Sequence, residues 1–269
     1  MKILVIGDCH GEVPEIPETS FDAVLAVGDI CGGTDEMRKY MFEAIDSEKY
    51  WYELMGEEEA KEEVKASIRE GHKILQKLES LGVPVYVVPG NWDWTSEDEG
   101  WEFLDGRGYP EMISDYSNVH DLNFELETLN GVDFIGYGPC SGPEVPQYED
   151  DKPDSEEELE EIREAYEENK EELETLFEQS NNETVFLSHN APHDTRLDMI
   201  DNPDSPKDGR HYGSLIVKEL VEAYQPVYNV AGHMHESEGE EELGDTTCIN
   251  TGFHNSLILN LENGAVKHL

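Results

Sequence analysis

Apolar residues along this chain gather in short, dense runs rather than long amphipathic stretches. The runs are Ile3–Ile6, Ala23–Val27, Val83–Val88, Val132–Tyr137, Thr184–Leu187, Val227–Ala231, Thr247–Ile249 and Ser256–Leu259. Brief segments rich in Val, Ile and Leu, bounded by turn-forming residues, predict buried strands. In Ile3–Ile6 every position is apolar, which predicts a strand covered on both faces. Between the second and third runs, 34–81 has helical content, with Gly56 and Gly71 expected as breaks or caps. The clearest helix begins at Ser155, whose spacing to Glu158 is that of a capping box. Leu159, Ile162, Tyr166, Leu173 and Leu176 then share one face of a helix that is otherwise mostly Glu and Lys, the pattern of a solvated surface helix. Another helix is expected after 211, and the Pro- and Gly-containing segments 138–153 and 201–213 are expected to be loops. With no internal repeat and no linker, one α/β domain spanning 1–269 is the expected organisation.

Composition narrows this picture. A chain of 269 residues with 37% hydrophobic content can bury a substantial core. No run of about 18 apolar residues occurs, so no transmembrane helix is expected. The opening MKILVIGD lacks the pattern of a signal peptide, and a cytoplasmic address is the expectation. Cys9, Cys31, Cys140 and Cys248 are widely spaced without a CxxC pair. That argues against a zinc ribbon and a disulfide framework, leaving them as small buried residues.

Charge changes the picture more. Acids number 63 against 18 Lys and Arg, a formal net charge of −45 spread along the chain. Such a surface repels itself and repels nucleic acid at ordinary ionic strength. At molar salt the screening length falls to about 3 Å and the repulsion is tolerable. The distribution resembles that of proteins from salt-accumulating organisms, and a halophilic protein is expected.

The candidate chemistry lies where the apolar runs end. The first run leads into Gly7-Asp8-Cys9-His10-Gly11, the second into Gly28-Asp29-Ile30, and the third into Gly90-Asn91-Trp92-Asp93. The run around Phe186 leads into Ser188-His189-Asn190, and the one around Val230 into Gly232-His233-Met234-His235. In open α/β sheets ligands bind beyond the carboxyl ends of strands. Placed there, Asp8, His10, Asp29, Asn91, His189, His233 and His235 form one rim of metal-capable groups. The glycines before them mark places where the backbone turns sharply or approaches closely. Carboxylate, amide oxygen and imidazole without thiolate suit Mn, Fe, Zn, Co or Ni. Seven donors exceed what one tetrahedral ion needs, and with one shared carboxylate they supply four ligands to each of two divalent ions.

These five motifs, in this order and spanning residues 8–235, resemble the pattern D-x-H, G-D, G-N-H-D/E, H, G-H-x-H of the calcineurin-like metallophosphoesterase superfamily. The resemblance implies an α/β fold, a four-layer α/β/β/α sandwich of two facing mixed β-sheets flanked by helices. It implies that Asp8, His10 and His235 hold one metal, that Asn91, His189 and His233 hold the other, and that Asp29 bridges them. It also implies a dinuclear-metal phosphoric ester hydrolase acting on a small phosphate ester. In such an enzyme a dimetal-bridging hydroxide attacks in line while the metals stabilise charge on the phosphoryl oxygens.

One motif departs from the pattern. Where the family has His in G-N-H-D/E, usually assigned to leaving-group protonation or phosphate contact, this chain has Trp92. Indole is a donor only and no general acid near neutral pH. His211, in an H-x-G-S element similar to one found in some family phosphodiesterases, is the favoured replacement; His193 is the other. Asn91 and His211 are thus the catalytic candidates, and a phosphodiesterase is the expected activity. The alternatives are a non-catalytic scaffold of the same fold, which the intact ligand set opposes, and a DNA nuclease, which the charge opposes. Specificity is expected to reside in the loops 94–118, 138–153 and 194–213.

The charge yields a first prediction. With metals saturating, the melting temperature should climb steeply between about 0.1 and 2 M KCl as self-repulsion is screened. A thermal melt independent of salt over that range would contradict the halophilic reading.

Overall fold

The computed structural model describes residues 1–269 apart from 46, 48, 96–107, 139 and 204, so much of the loop 94–118 lies outside the described residues. The first sheet contains β1 (Lys2–Ile6), β2 (Ala23–Ala26), β3 (Val85–Val87), β4 (Val119–Asp121), β11 (Ser256–Asn260) and β12 (Ala265–His268). The second contains β5 (Leu126–Leu129), β6 (Val132–Tyr137), β7 (Glu183–Asn190), β8 (Tyr228–Gly232), β9 (Gly239–Leu243) and β10 (Thr246–Asn250). Their spatial orders are β12-β11-β1-β2-β3-β4 and β5-β6-β7-β8-β10-β9. In each, a parallel block (β1 to β4, and β6-β7-β8-β10) is flanked by antiparallel strands.

The alternation along β1 shows why the sheets face each other. Ile3 and Val5 point into a core shared with Leu25, Val27, Phe134, Val185, Leu187 and Val230, which come from both sheets. Leu4 and Ile6 point the opposite way, into a second core against α1 (Asp35–Ile45), α2 (Trp51–Met55), α3 (Glu57–Glu79) and α4 (Tyr109–Ser114). A third core joins the outer face of the second sheet to α5 (Glu156–Gln179) and α6 (Leu215–Tyr224). Four layers result, α/β/β/α, as the motif pattern implied. Both central blocks are apolar on both faces because both faces are covered.

All eight apolar runs became strands. The strands that periodicity did not predict are β4, β5, β9 and β12, and each lies at a sheet edge. Gly56 separates α2 from α3 with φ 103°, as expected of a break. Gly71 is a correction: it lies inside α3, buried, where a Cβ would come within 2.8 Å of Cys31 Sγ and 3.1 Å of Met112 Sδ. Its smallness lets α3 pack closely, and it ends nothing. Ser155 caps α5 by accepting the Glu158 N–H at 3.1 Å, and the helix expected after 211 is α6, capped by Ser214. All four cysteines are free and buried. Among the described residues no helix is long and apolar enough to cross a membrane.

One carboxylate ties the second sheet to the end of α5. Asp133 Oδ1 accepts from Thr128 Oγ1 at 2.6 Å and Asn182 Nδ2 at 2.9 Å. Its Oδ2 accepts from Ser180 Oγ at 2.9 Å and from the N–H groups of Asn181 and Asn182 at 3.1 Å each. Burial raises this carboxyl, but the hydrogen bonds outweigh it and hold it well below the ordinary carboxylate range. A depressed folded value stabilises above the unfolded value of about 3.9, and that contribution is lost as pH falls below it. Asp133→Asn should therefore cost about 1–3 kcal/mol near neutral pH, a melting shift of several degrees. The gap to wild type should close in acid, as read by parallel melts at pH 7 and below pH 4.

Candidate metal centre

Parallel strands end at a common level, and here both sheets deliver their carboxyl ends to one rim. Asp8 and His10 follow β1, Asp29 follows β2, Asn91 follows β3, and His233 and His235 follow β8. His189 lies within β7, where its pairing with β8 shifts register between Leu187 and Asn190. Such an irregularity re-aims a side chain that regular pleating would turn away. His10, Asp29 and His233 adopt φ of 43°, 48° and 66°, a left-handed conformation uncommon for these residues and frequent at functional sites. The first two loops are pinned together, the N–H groups of Cys9 and His10 donating to Asp29 O at 3.1 and 2.8 Å. Two glycines make room for carboxylates. A Cβ on Gly90 would overlap Asp29 Oδ1, and one on Gly232 would overlap Asp8 Oδ1.

The seven side chains converge in two overlapping groups. Asp8, His10, Asp29 and His235 bring one ligand atom each within 4.8 Å of one another, as do Asp29, His189 and His233. Asp29 belongs to both. In the first group, His10 Nε2 lies 3.2 Å from His235 Nε2 and 3.3 Å from Asp29 Oδ2. His235 Nε2 is 3.0 Å from Asp8 Oδ2, which also accepts the His233 N–H at 2.7 Å. In the second, Asn91 Oδ1 is 3.0 Å from both His189 Nε2 and His233 Nδ1.

Backbone carbonyls set the histidine tautomers on that side. His189 Nδ1 lies 2.8 Å from Val27 O, and His233 Nε2 lies 3.2 Å from Ser141 O. Each carbonyl requires a proton on the nitrogen facing it, which leaves His189 Nε2 and His233 Nδ1 as bare lone pairs. The approaches of Asn91 Oδ1 to those nitrogens are therefore acceptor against acceptor. Imidazoles oriented by carbonyls, with their other nitrogens turned toward Asn91 Oδ1, and a buried Asp8 Oδ1 with no hydrogen-bond partner fit a pair of cations.

The electrostatics agree. Burial, then the charges of Asp8 and Asp93, push the Asp29 carboxyl well above its ordinary value. Asp8 also feels burial, but the hydrogen bond from His235 and the nearby imidazoles outweigh it, and its carboxyl lies below the usual value. Burial lowers both His10 and His233 to about 3, so both imidazoles are neutral at pH 7. The third buried acid, Asp93, accepts N–H groups from Cys31 at 2.8 Å, Gly90 at 2.9 Å and Ile30 at 3.3 Å. It clamps the loops carrying Asp29 and Asn91 together, a role that the sequence motif alone did not reveal.

Trp92 uses its backbone N–H, donating to Asp29 Oδ1 at 2.8 Å. The two histidines considered as replacements share a carboxylate that the sequence did not single out. His211 Nδ1 lies 2.7 Å and His193 Nδ1 3.4 Å from oxygens of the fully buried Asp198. Burial raises Asp198, and those histidines with the N–H groups of Thr195 and Gly213 more than offset it, leaving it lowered. His211 is joined to the β7 end indirectly, Asn190 Nδ2 donating to Tyr212 O at 2.9 Å.

A cavity of about 360 Å³ lies beside Ser141, whose carbonyl faces His233. Ser141, Gly142, Glu144, Lys207 and Tyr212 are among its lining residues. Glu144 fixes its wall by accepting from Tyr137 Oη at 3.2 Å, the Leu215 N–H at 2.8 Å and the Ser214 hydroxyl, at the N-terminus of α6. Nothing in the sequence pattern marked Ser141 or Glu144.

A family model described as metallophosphoesterase, calcineurin superfamily, matches residues 2–257. No curated protein matches the chain by sequence. One solved structure is 20% identical with a TM-score of 0.65, covering 100% of this chain and 98% of its own. A dimetal phosphatase from Danio rerio is 11% identical with a TM-score of 0.52, covering 97% of this chain and 93% of that one. The protein TT1561 of Thermus thermophilus is 14% identical with a TM-score of 0.50, covering 100% of this chain and 97% of that one. At these identities the structures show a shared fold.

Because Asp29 belongs to both groups, Asp29→Asn should lower metal content at both positions and abolish turnover. The same change removes one of three mutually repelling buried carboxylates, so the metal-free variant should melt no lower than metal-free wild type. Elemental analysis after dialysis and melts in chelator check the two halves. Two retained metal equivalents with full activity would refute the shared role.

Proposed function

This chain belongs to the calcineurin-like metallophosphoesterase superfamily, and we propose that within it the protein is a phosphodiesterase acting on small phosphate esters. That it is a metal-dependent phosphoesterase follows from the family and from the compatible residue cluster. The single observation carrying the proposal is the pair of ligand groups joined at Asp29, beside a position where indole replaces imidazole.

Asp8, His10 and His235 would hold one ion and Asn91, His189 and His233 the other, with Asp29 common to both. Their nitrogen and oxygen donors suit Mn, Fe, Zn, Co or Ni. Bound ions would supply a nucleophilic water at neutral pH and positive charge for the phosphoryl oxygens. The chain's own residues do the rest. Val27 O and Ser141 O keep His189 and His233 in the ligating tautomer. Asp93 keeps the Asp29 and Asn91 loops in register. Asn91 is exposed at the rim, where its amide can meet an ester oxygen.

Trp92 offers the departing oxygen no proton. His211 is the favoured donor, its Nδ1 held 2.7 Å from Asp198 Oδ1, which fixes the orientation of the ring. The whole chain, 1–269, serves as one domain working at high salt, a reading supported by the core that the two sheets share and by the acid excess.

A panel of mono- and diesters in molar KCl with Mn, Ni, Co or Zn tests this. Bis(p-nitrophenyl) phosphate should be cleaved well ahead of alkyl monoesters. His211→Ala should slow esters with poor leaving groups by roughly 10²- to 10⁴-fold and nitrophenyl esters far less. Equal slowing of both classes would remove the acid role of His211 and leave it a loop-shaping one.

A further inference from the structure

Acids outnumber Lys and Arg by 63 to 18, and nine of the described Lys and Arg residues sit in ion pairs. Lys39 meets Glu43 at 3.7 Å, Arg163 meets Glu160 at 3.4 Å and Arg210 meets Asp150 at 2.7 Å. Arg38, half-buried on α1, has no carboxylate partner among the described residues. Its guanidinium instead lies 5.4 Å from the centroid of the Trp92 ring, within cation–π range. The Trp92 ring is in turn 5.8 Å from the His10 imidazole. Gly33 leaves space for that indole, since a Cβ there would come within 2.5 Å of Trp92 Cζ3. A second ring, Phe253, is 40% exposed yet lies 4.7 Å from His235 and 5.5 Å from His10.

The lip of the centre beside His10 is thus aromatic and carries a cation with no carboxylate partner among the described residues. The planar donor fork of a guanidinium held on an indole matches carboxylates and phosphates. The reacting phosphoryl group already has the metal positions to neutralise it. We propose that Arg38, seated on Trp92, binds a second anionic group on the substrate, so that the preferred esters carry a further carboxylate or phosphate on the part beside the reacting phosphorus. This rests on the phosphodiesterase reading for turnover, while the binding it predicts is independent of it. Trp92, which removed the proton donor, then serves as the platform for the recognising charge.

Two p-nitrophenyl diesters with the same leaving group separate the possibilities, one bearing an ethyl group and the other a 2-carboxyethyl group. Wild type, at the lowest salt that keeps it folded and with Mn present, should show a KM about tenfold lower for the carboxyethyl ester. Arg38→Ala should erase that preference while leaving kcat for the ethyl ester unchanged, and Arg38→Lys should restore part of it. Calorimetric binding of 2-carboxyethyl phosphate against ethyl phosphate gives a second readout. An Arg38-dependent binding preference without diester turnover would uphold Arg38 and overturn the phosphodiesterase reading. Turnover without preference in wild type, or a preference surviving in Arg38→Ala, would overturn the proposal itself.

Discussion

Three carboxylates, Asp8, Asp29 and Asp93, are buried side by side at 0–3% exposure, and their mutual repulsion is the constraint on which the rest depends. Buried like charges are held together only where geometry is imposed and compensation is near. The geometry comes from two parallel blocks whose strands end at one rim, and from loops forced into left-handed turns at His10, Asp29 and His233. The compensation is divided. Asp93 is satisfied by three backbone N–H groups and works as a clamp. Asp8 retains an unpartnered oxygen, Asp29 is crowded by both neighbours, and both face lone pairs of imidazole. Asp93 is closed off by backbone donors, while Asp8 and Asp29 turn oxygens toward the cluster of imidazoles.

The same division explains what could be read from the sequence. Central strands are apolar at nearly every position because both faces are covered, so eight runs announced themselves. Edge strands β4, β5, β9 and β12 are partly solvated and carry residues such as Glu240, Glu241 and Glu242, so no run marked them. The seven ligand candidates were legible because six follow a strand and His189 lies near the end of one, each within a short motif, and the structure gathers them. Asp198, Ser141 and Phe253 were not. Their positions depend on loops folding back from distant parts of the chain, and no local spacing encodes such a return. Gly71 misled for a related reason: a glycine in a helix looks like a break until the Cys31 and Met112 sulfurs packed against it are seen.

The surface and the centre obey opposite electrostatic rules. Most acids are exposed and paired weakly or not at all, which suits solvent rich in ions. Around the centre the signs are managed residue by residue, with neutral imidazoles, a guanidinium on an indole, and carboxylates in hydrogen-bond cages. Replacing the usual imidazole by Trp92 fits this local arrangement, since its ring contacts both His10 and Arg38 while its backbone N–H supports Asp29.

The peptide at Ser141 belongs to two structures at once. Its carbonyl receives the ring N–H of His233, and its residue lines the neighbouring cavity, in a wall that Glu144 fastens to α6. Reshaping that wall rotates the acceptor that orients the imidazole. On this side of the molecule, the shape of the cavity and the orientation of the His233 ring are therefore mechanically linked through one peptide.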